Sequence, residues 1–192
     1  EDKKTYKINI NNDLPLIPNF GWEIFSKIMN KLHDNGINVI RDSDCHTMRS
    51  HVSRTKEEGF DFKLLHSVTK TKGKTYCYSS RPHKNQSKKK VIFSNGGYVV
   101  PFYDAGKLGV TEVGLYILVD TDEFGEQMVK YLNTDIIKFL VKSTKWSNFE
   151  TAKQIFNYIP NIVNEIDDIN NENVYKYFEI IEEEKIFIEN SI

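Results

Sequence analysis

A hairpin pattern near the middle of the chain constrains the fold more than any other sequence feature. Two β-rich runs, Lys90–Ser94 and Tyr98–Tyr103, flank the turn sequence Asn95-Gly96-Gly97. Asn-Gly and Gly-Gly steps supply the positive φ angles that tight hairpin turns need, and alternating apolar residues surround them. Pro101 cannot donate a hydrogen bond to a neighbouring strand, so its strand is predicted at a sheet edge or a bulge. A glycine-rich polar loop over residues 104–111 follows, and hairpin and loop together predict a recognition surface.

The patterns before and around this hairpin predict a sheet preceded by one helix. Apolar residues recur at spacings of three and four over Phe20–His33, which predicts a helix, and Ile37–Arg41 then predicts a short strand. The polar stretch Arg41–Gly59 predicts a loop and a short helix. Three further strands are predicted at Phe60–His66, Thr75–Ser80 and Leu115–Val119.

The last third of the chain predicts short helices. After Asp120 the apolar period changes from 2 to 3.6, and Asp120 with Glu123 fits a capping pair. Ser147 and Glu150 fit a second capping pair, before a short helix that ends near Pro160. The fold class is therefore predicted as α+β, with a mostly antiparallel twisted sheet followed by a C-terminal group of short helices. We interpret residues 1–192 as one domain, made of a less defined part (1–59), a basic sheet-rich part (60–120) and a helical part (121–192).

Composition favours an intracellular globular protein. The chain is 39% hydrophobic and 12% aromatic, with five prolines and two cysteines. No apolar run approaches the roughly 18 residues that a membrane span needs, and Glu1-Asp2-Lys3-Lys4 is unlike a secretory leader. We therefore expect a cytoplasmic protein with no membrane partner.

Charge is segregated along the chain although the net charge is only −1. Lys63–Lys90 contains nine Lys/Arg and no Asp or Glu, whereas Phe149–Ile192 contains ten acidic residues and three lysines. Such asymmetry predicts that the basic part faces a polyanion, and nucleic acid is the favoured one.

The order of several short motifs resembles the C-terminal target-recognition region of adenine-specific DNA methyltransferases, especially those of type II restriction–modification enzymes. The similar segments are K-V-I-F-S, G-G-Y-V-V-P-F-Y-D, G-K-L-G-V-T, L-N-T-D-I-I-K-F-L, K-W-S-N-F and Y-K-Y-F-E-I-I-E-E. In that family a K-h-I-F strand precedes the glycine-rich loop, and an L-N-S-x-h-h-x-F-h helix leads to a K-W-x-x-F turn. The resemblance covers about residues 60–189.

The resemblance implies sequence-specific recognition of double-stranded DNA without catalysis by this chain. The family's catalytic half holds the target adenine with an Asn/Asp-Pro-Pro-Tyr/Phe tetrapeptide, whereas no two prolines of this chain are adjacent. The glycine-rich turn for the methyl donor is also missing. The implied partners are DNA and a methyltransferase catalytic domain, in cis or in trans. S-adenosylmethionine is the implied cofactor of that parent enzyme, and none is expected in this chain.

The candidate DNA contacts are polar residues in or beside the basic loops. Lysine and arginine neutralise phosphates, and Arg, Asn, Gln, Ser and Thr read base edges. The predicted contacts are Lys72, Lys74, Arg81, His83, Lys84, Asn85, Lys88, Lys89, Lys90, Ser94, Asn95, Tyr103, Lys107 and Thr111. Gln86 lies in the same loops.

Three alternatives remain open on the sequence. A protein-interaction module would use the acidic helical tail to dock a partner. A metal-dependent nuclease would use Asp44, Asp61 and Lys63, an imitation of the Asp…Asp-x-Lys arrangement that holds Mg²⁺ and activates water. A zinc site would draw on the Cys and His residues, but tight paired spacings are lacking. Those residues are Cys45, His46, His51, Cys77 and His83.

Overall fold

The computed structural model of the chain describes residues 17–32, 36–69, 72–95, 100–145 and 153–192. Within them, helices and mostly antiparallel strands confirm the predicted α+β class. The helices are α1 (Trp22–Met29), α2 (Asp122–Leu132), α3 (Asp135–Ser143), a 3-10 helix (Lys153–Tyr158), α4 (Asn171–Tyr177) and α5 (Glu182–Ser191). The strands are β1 (Val52–Ser53), β2 (Phe62–Thr69), β3 (Gly73–Ser79), β4 (Lys89–Ser94), β5 (Phe102–Ala105), β6 (Gly109–Val110) and β7 (Gly114–Leu118). No helix in the described ranges is long and apolar enough to cross a bilayer.

The strands divide into two sheets instead of the single predicted one. One sheet has the order β1-β3-β2-β6 and the other β5-β4-β7. Neighbouring strands are antiparallel, apart from β2 and β6, which run parallel. The predicted hairpin is present as β4 and β5, with Lys90 opposite Asp104. Strand β5 lies at a sheet edge, as the proline before it predicts. The turn residues 96–99 lie outside the described residues.

The three-stranded sheet is a middle layer, because its central strands are apolar on both faces. Val91 and Phe93 of β4 belong to a large buried cluster formed with the helices. Ile92 and Tyr116, on the opposite face of the same sheet, pack with Leu65 of the four-stranded sheet. Strands buried on both faces read as continuous apolar runs, so the run at Leu115–Val119 correctly predicts β7 as a buried strand.

The N-terminal part departs from the sequence-based expectations. Helix α1 is shorter than predicted, and residues 33–35 lie outside the described residues. The predicted strand at 37–41 is wrong: Gly36 and Ile40 form only isolated bridges, with Pro160 and Tyr116. The predicted helix within 41–59 is also wrong, because turns and the two-residue strand β1 occupy it.

The helical part agrees with prediction in outline. Helix α2 is capped by Thr121, which accepts a hydrogen bond from the Phe124 N–H, so the predicted cap at Asp120 was one residue early. The 3-10 helix ends at Tyr158, as expected, and the predicted capping pair Ser147/Glu150 lies outside the described residues. The acidic tail docks on α1 through ion pairs Lys27–Glu184 (2.7 Å) and Lys31–Glu179 (2.6 Å).

Candidate functional site

Three polar loops meet at one end of the two sheets. We call them together the three-loop surface: residues 41–51, residues 80–88 and residues 106–108. Residues 80–88 follow β3, whose last residue Ser79 pairs with Phe62 at the start of β2. Because β6 runs parallel to β2, with Gly109 beside Leu64, the loop before β6 lies at this same end. The topology therefore brings together loops that are distant in sequence.

A buried ion pair fastens two of these loops to each other. The Lys90 ammonium lies 3.0 Å from the Asp104 carboxylate. It also donates to the carbonyls of Gln86 (3.2 Å) and Lys88 (2.6 Å). Asp104 in turn accepts the backbone N–H of Lys107 at 3.2 Å. The pair thus fixes the backbone from which Lys88 and Lys107 project.

Glycine is required where these two loops touch. Gly106 has a φ of +80°, and a Cβ placed there would lie 2.5 Å from the Ser87 carbonyl oxygen. The Gln86 side-chain amide also donates to the Lys107 carbonyl at 2.8 Å. The close approach holds Lys88 and Lys107 at neighbouring positions.

Asp42 links the first loop to the sheets. Its carboxylate accepts a hydrogen bond from Tyr116 Oη (2.6 Å) and lies 3.2 Å from His83 Nε2. Tyr116 Oη also accepts from the Asn85 amide at 2.8 Å. Burial opposes ionisation of Asp42, but the hydrogen bonds from His83 and Tyr116 outweigh it and hold its pKa well below the usual range. The same burial and the Asp42 bond raise the pKa of Tyr116. The ionised side chain of Asp42 therefore has a structural role, because it connects the first loop to Tyr116 and His83.

Asp44 makes a second link between the first two loops. Its carboxylate accepts from Arg81 Nη2 (2.9 Å) and from the Lys84 backbone N–H (2.8 Å). Burial opposes ionisation, but these donors outweigh it and lower the pKa of Asp44. Both acidic residues of the three-loop surface are therefore engaged inside the protein.

The outer side of the three-loop surface is cationic. Its three segments contain six Lys/Arg and only the two aspartates, a formal balance of +4. The basic residues are Arg41, Arg49, Arg81, Lys84, Lys88 and Lys107. The aspartates hold the loops together from within, so the excess positive charge faces solvent.

The structure brings together only part of the predicted DNA-contact set. Arg81, Lys84, Lys88 and Lys107 are exposed on the three-loop surface. Six predicted contacts are instead buried, which leaves them no surface for DNA in this conformation: His83, Asn85, Lys90, Ser94, Asn95 and Thr111. His83, Asn85 and Lys90 hold the loops in place, and Thr111 Oγ1 lies 3.1 Å from His66 Nδ1.

The other four predicted contacts lie elsewhere. Lys72 and Lys74 are at the opposite end of β3, about 20 Å away at roughly 3.3 Å per residue, and Lys74 Nζ lies 3.4 Å from the centroid of the Phe102 ring. Lys89 and Tyr103 both bind Asp122, at 2.5 and 2.6 Å. The Asp122 bond raises the pKa of Tyr103 to about 12. Asp122 thus neutralises the charge of Lys89 locally.

Sequence reasoning missed the contribution of residues 41–51. Arg49 and His51 lie beside Arg81 around a small depression, and Thr47 anchors the loop through two hydrogen bonds to Glu112, at 2.9 and 2.7 Å. The clue in the sequence was a polar stretch with two arginines and two histidines, without an apolar period.

The structure also shows the surroundings of several residues named in the nuclease and zinc hypotheses. Within the described ranges no group of three or more His, Cys, Asp and Glu is arranged to hold a metal ion. Cys45 and Cys77 are buried free thiols in one small apolar cluster. Asp44 binds Arg81, whereas Lys63 Nζ lies 3.7 Å from the centroid of the Tyr76 ring. No observation favours the nuclease or zinc hypothesis.

Comparison with family models found no match, and comparison with curated protein sequences found none either.

Proposed function

We propose that this chain is a sequence-specific double-stranded DNA recognition domain that binds through the three-loop surface. The observation that carries the proposal is the charge arrangement. The three loops carry six basic side chains and only two acidic ones, Asp44 and Asp42, which pair with Arg81 and Lys84 and leave a formal excess of four positive charges. A surface of this kind attracts the phosphate backbone, since neutralising phosphates releases condensed counterions.

The rigidity of the loops supports recognition beyond nonspecific attraction. Phosphate contacts position a protein on the duplex, while base contacts specify the sequence. The Lys90–Asp104 pair binds the backbone of Lys88 and Lys107. Both lysine side chains therefore extend from fixed backbone positions. Neither side chain has an acceptor among the described residues. They are the best-placed groups to reach a groove.

The sequence resemblance supports the wider context of this proposal. A target-recognition domain delivers a catalytic domain to its site, and that catalytic domain supplies the adenine-specific methyl transfer with S-adenosylmethionine. This chain's own role is to bind and orient the DNA. The partner is a methyltransferase catalytic domain, in cis or in trans.

Selection from a random-duplex pool at two salt concentrations tests the proposal. We expect one short motif to be enriched, and its affinity to fall as salt rises. The charge-reversal variant Lys88→Glu/Lys107→Glu should weaken binding by roughly tenfold or more. The control Lys130→Glu/Lys142→Glu makes the same charge change on exposed residues of α2 and α3, and should bind like the wild type. Equal affinity of the two variants, or no binding by the wild type at low salt, contradicts the proposal.

A protein-interaction module is the second candidate, and helix α5 favours it. Ile186 and Phe187 of α5 are exposed, and Phe187 lies against the exposed Phe20 with ring centroids 6.5 Å apart. Acidic residues Glu182 and Glu183 lie in the first turn of the same helix. Its matching partner is a protein surface that is apolar with a basic rim. Co-purification that is lost in Ile186→Ser/Phe187→Ser, together with no DNA binding by the wild type, would select this function instead.

A further inference from the structure

A small open depression lies beside Arg81, in the loop that sequence reasoning left without a role. Its volume is about 390 Å³, and its lining is almost entirely polar. The lining residues are Ser43, Asp44, Arg49, Ser50, His51 and Arg81. Two arginines, one histidine and two serines therefore border one space together with Asp44.

The single acidic residue of this depression is already neutralised. Asp44 accepts Arg81 Nη2 with one carboxylate oxygen and the Lys84 backbone N–H with the other. Its backbone carbonyl accepts from Arg81 Nη2 (3.1 Å) and lies 3.2 Å from His51 Nε2. These bonds hold the Arg81 side chain in one orientation and occupy only one of its three nitrogens. The Nε and Nη1 donors of Arg81 have no acceptor among the described residues.

Arg49 is held on a fixed backbone but lacks a counterion. Its N–H donates to the His46 carbonyl at 2.9 Å, and its carbonyl accepts the Val52 N–H at 3.0 Å, so the turn that carries it is closed at both ends. Its guanidinium group has no acceptor in the part of the chain that the structure describes. Because Asp44 already pairs with Arg81, the charge of Arg49 is the uncompensated one beside the depression, and a bound anion supplies its counterion.

We propose that this depression binds one phosphate group, namely a phosphodiester of the DNA backbone, through Arg49 and Arg81. This inference rests on the proposed function. Guanidinium groups present planar, paired donors that match phosphate oxygens, and charge-assisted bonds of this kind are the strong ones. The hydroxyl group of Ser50 supplies a further donor at the edge, whereas His51 Nε2 is already engaged with the Asp44 carbonyl. Arg81 lies on the same loop as Lys84 and Lys88. A DNA strand with one phosphate at Arg81 would therefore have further basic residues of the three-loop surface nearby.

The contact positions the duplex and reads no base. Its loss should weaken binding to every sequence equally, whereas loss of a base contact relaxes preference at one position. Loss of the contact should also reduce by one the number of phosphates that the protein neutralises, and this number sets how steeply affinity falls with salt. For B-form DNA this reduces the slope of log K against log salt by about 0.9.

The test is a salt titration of duplex binding with the full chain and three variants. Arg49→Gln removes the charge without breaking any bond within the described residues, so its fold is preserved. Arg54→Gln is the matched control, because Arg54 is an exposed arginine five residues away that does not line the depression. Lys88→Glu/Lys107→Glu reports on the proposed function in the same assay. A second measurement follows backbone amide shifts of residues 44–51 as inorganic phosphate is added.

We expect Arg49→Gln to bind several-fold more weakly on both selected and random duplexes, with a slope smaller by about 0.9, while Arg54→Gln matches the wild type. If Arg49→Gln keeps the wild-type affinity and slope while Lys88→Glu/Lys107→Glu binds weakly, the phosphate assignment is overturned and the DNA function stands. If the wild type ignores DNA but inorganic phosphate shifts residues 44–51 in an Arg49-dependent way, the depression is a small-anion site and the DNA assignment is overturned.

Discussion

Lys90 and Asp104 are directly opposite each other on β4 and β5, and their charged groups lie 3.0 Å apart in a position closed to solvent. Burial lowers the pKa of Lys90, although Asp104 opposes this by favouring the charged form. Each partner also binds loop backbone, so the pair is the junction between residues 80–88 and 106–108. Its contribution is to geometry, since a buried ion pair is weak evidence for net stability but is costly to break.

Removing the ammonium group should therefore destabilise the protein strongly. Lys90→Met leaves Asp104 charged and buried without its partner, which typically costs about 3–5 kcal/mol. The control Lys88→Met removes an exposed ammonium two residues away and should change the free energy of unfolding by no more than about 0.5 kcal/mol. Urea denaturation measures both. Equal midpoints for the two variants would show that the loops hold without the ion pair.

Gly106→Ala should separate the two loops. Alanine at a φ of +80° costs about 1–2 kcal/mol from backbone strain alone, and here its Cβ would also meet the Ser87 carbonyl at 2.5 Å. Gly59→Ala is the matched control, because Gly59 has the same φ of +80° with nothing within 4 Å of the added Cβ. Gly106→Ala should lose measurably more stability than Gly59→Ala in thermal denaturation. Identical losses would mean that the loops separate without cost.

Asp42 should make stability depend on pH in the acid range. Its pKa is depressed in the folded state by His83 and Tyr116, with the Lys84 ammonium also within 3.4 Å. The stabilisation is therefore complete above the unfolded-state pKa of about 3.9, and is lost as the pH falls below it. Asp42→Asn should be less stable than the wild type at pH 7, and the gap should narrow toward pH 2.

Urea denaturation at pH 7, 4 and 3 measures that gap. Asp44 and Glu112, whose pKa values are also lowered, are common to both proteins, so their share cancels in the difference. A gap that stays constant across this range would remove Asp42 as the titrating group.

Tyr116→Phe should cost more than the same change at Tyr103. The hydroxyl of Tyr116 joins Asp42 to Asn85. Its loss leaves the buried Asn85 amide without an acceptor and removes one of the donors to Asp42, which should cost about 1–3 kcal/mol. The hydroxyl of Tyr103 makes one bond, to the exposed Asp122, so its loss should stay within about 0.5 kcal/mol. Comparing the free energies of unfolding of the two variants checks this. A Tyr103→Phe variant as unstable as Tyr116→Phe would contradict it.

Local patterns predicted the fold well, because periodicity reports directly on which faces are buried. The doubly buried strand β7 lies within a residue of its predicted bounds, and helix α2 begins at Asp122, two residues after the predicted cap. The division into two sheets was not predictable in the same way. It depends on which strands pair, and the parallel pairing of β2 with β6 joins residues about 45 positions apart.

The candidate site was predictable by region but not by residue. Of the predicted contacts, Lys84 and Lys88 of the basic stretch and Lys107 of the glycine-rich loop are exposed. Lys90 looks the same in sequence, yet β4 is buried on both faces and Lys90 is fully buried against Asp104. His83 likewise finds its partner Asp42 at a separation of 41 residues, a pairing that one sequence does not reveal.

At the loop end of the molecule, two groups of residues have separate roles. Gly106 and the Lys90–Asp104 ion pair belong to the group that holds the loops in place. The buried contacts hold the loops. The exposed side chains of Arg49, Lys88 and Lys107 make no bond to the described residues. Evolution or a combinatorial library can therefore vary Arg49, Lys88 and Lys107 while the buried contacts that hold the loops stay constant. In the proposed DNA interface, target preference and folding stability would therefore depend on different side chains.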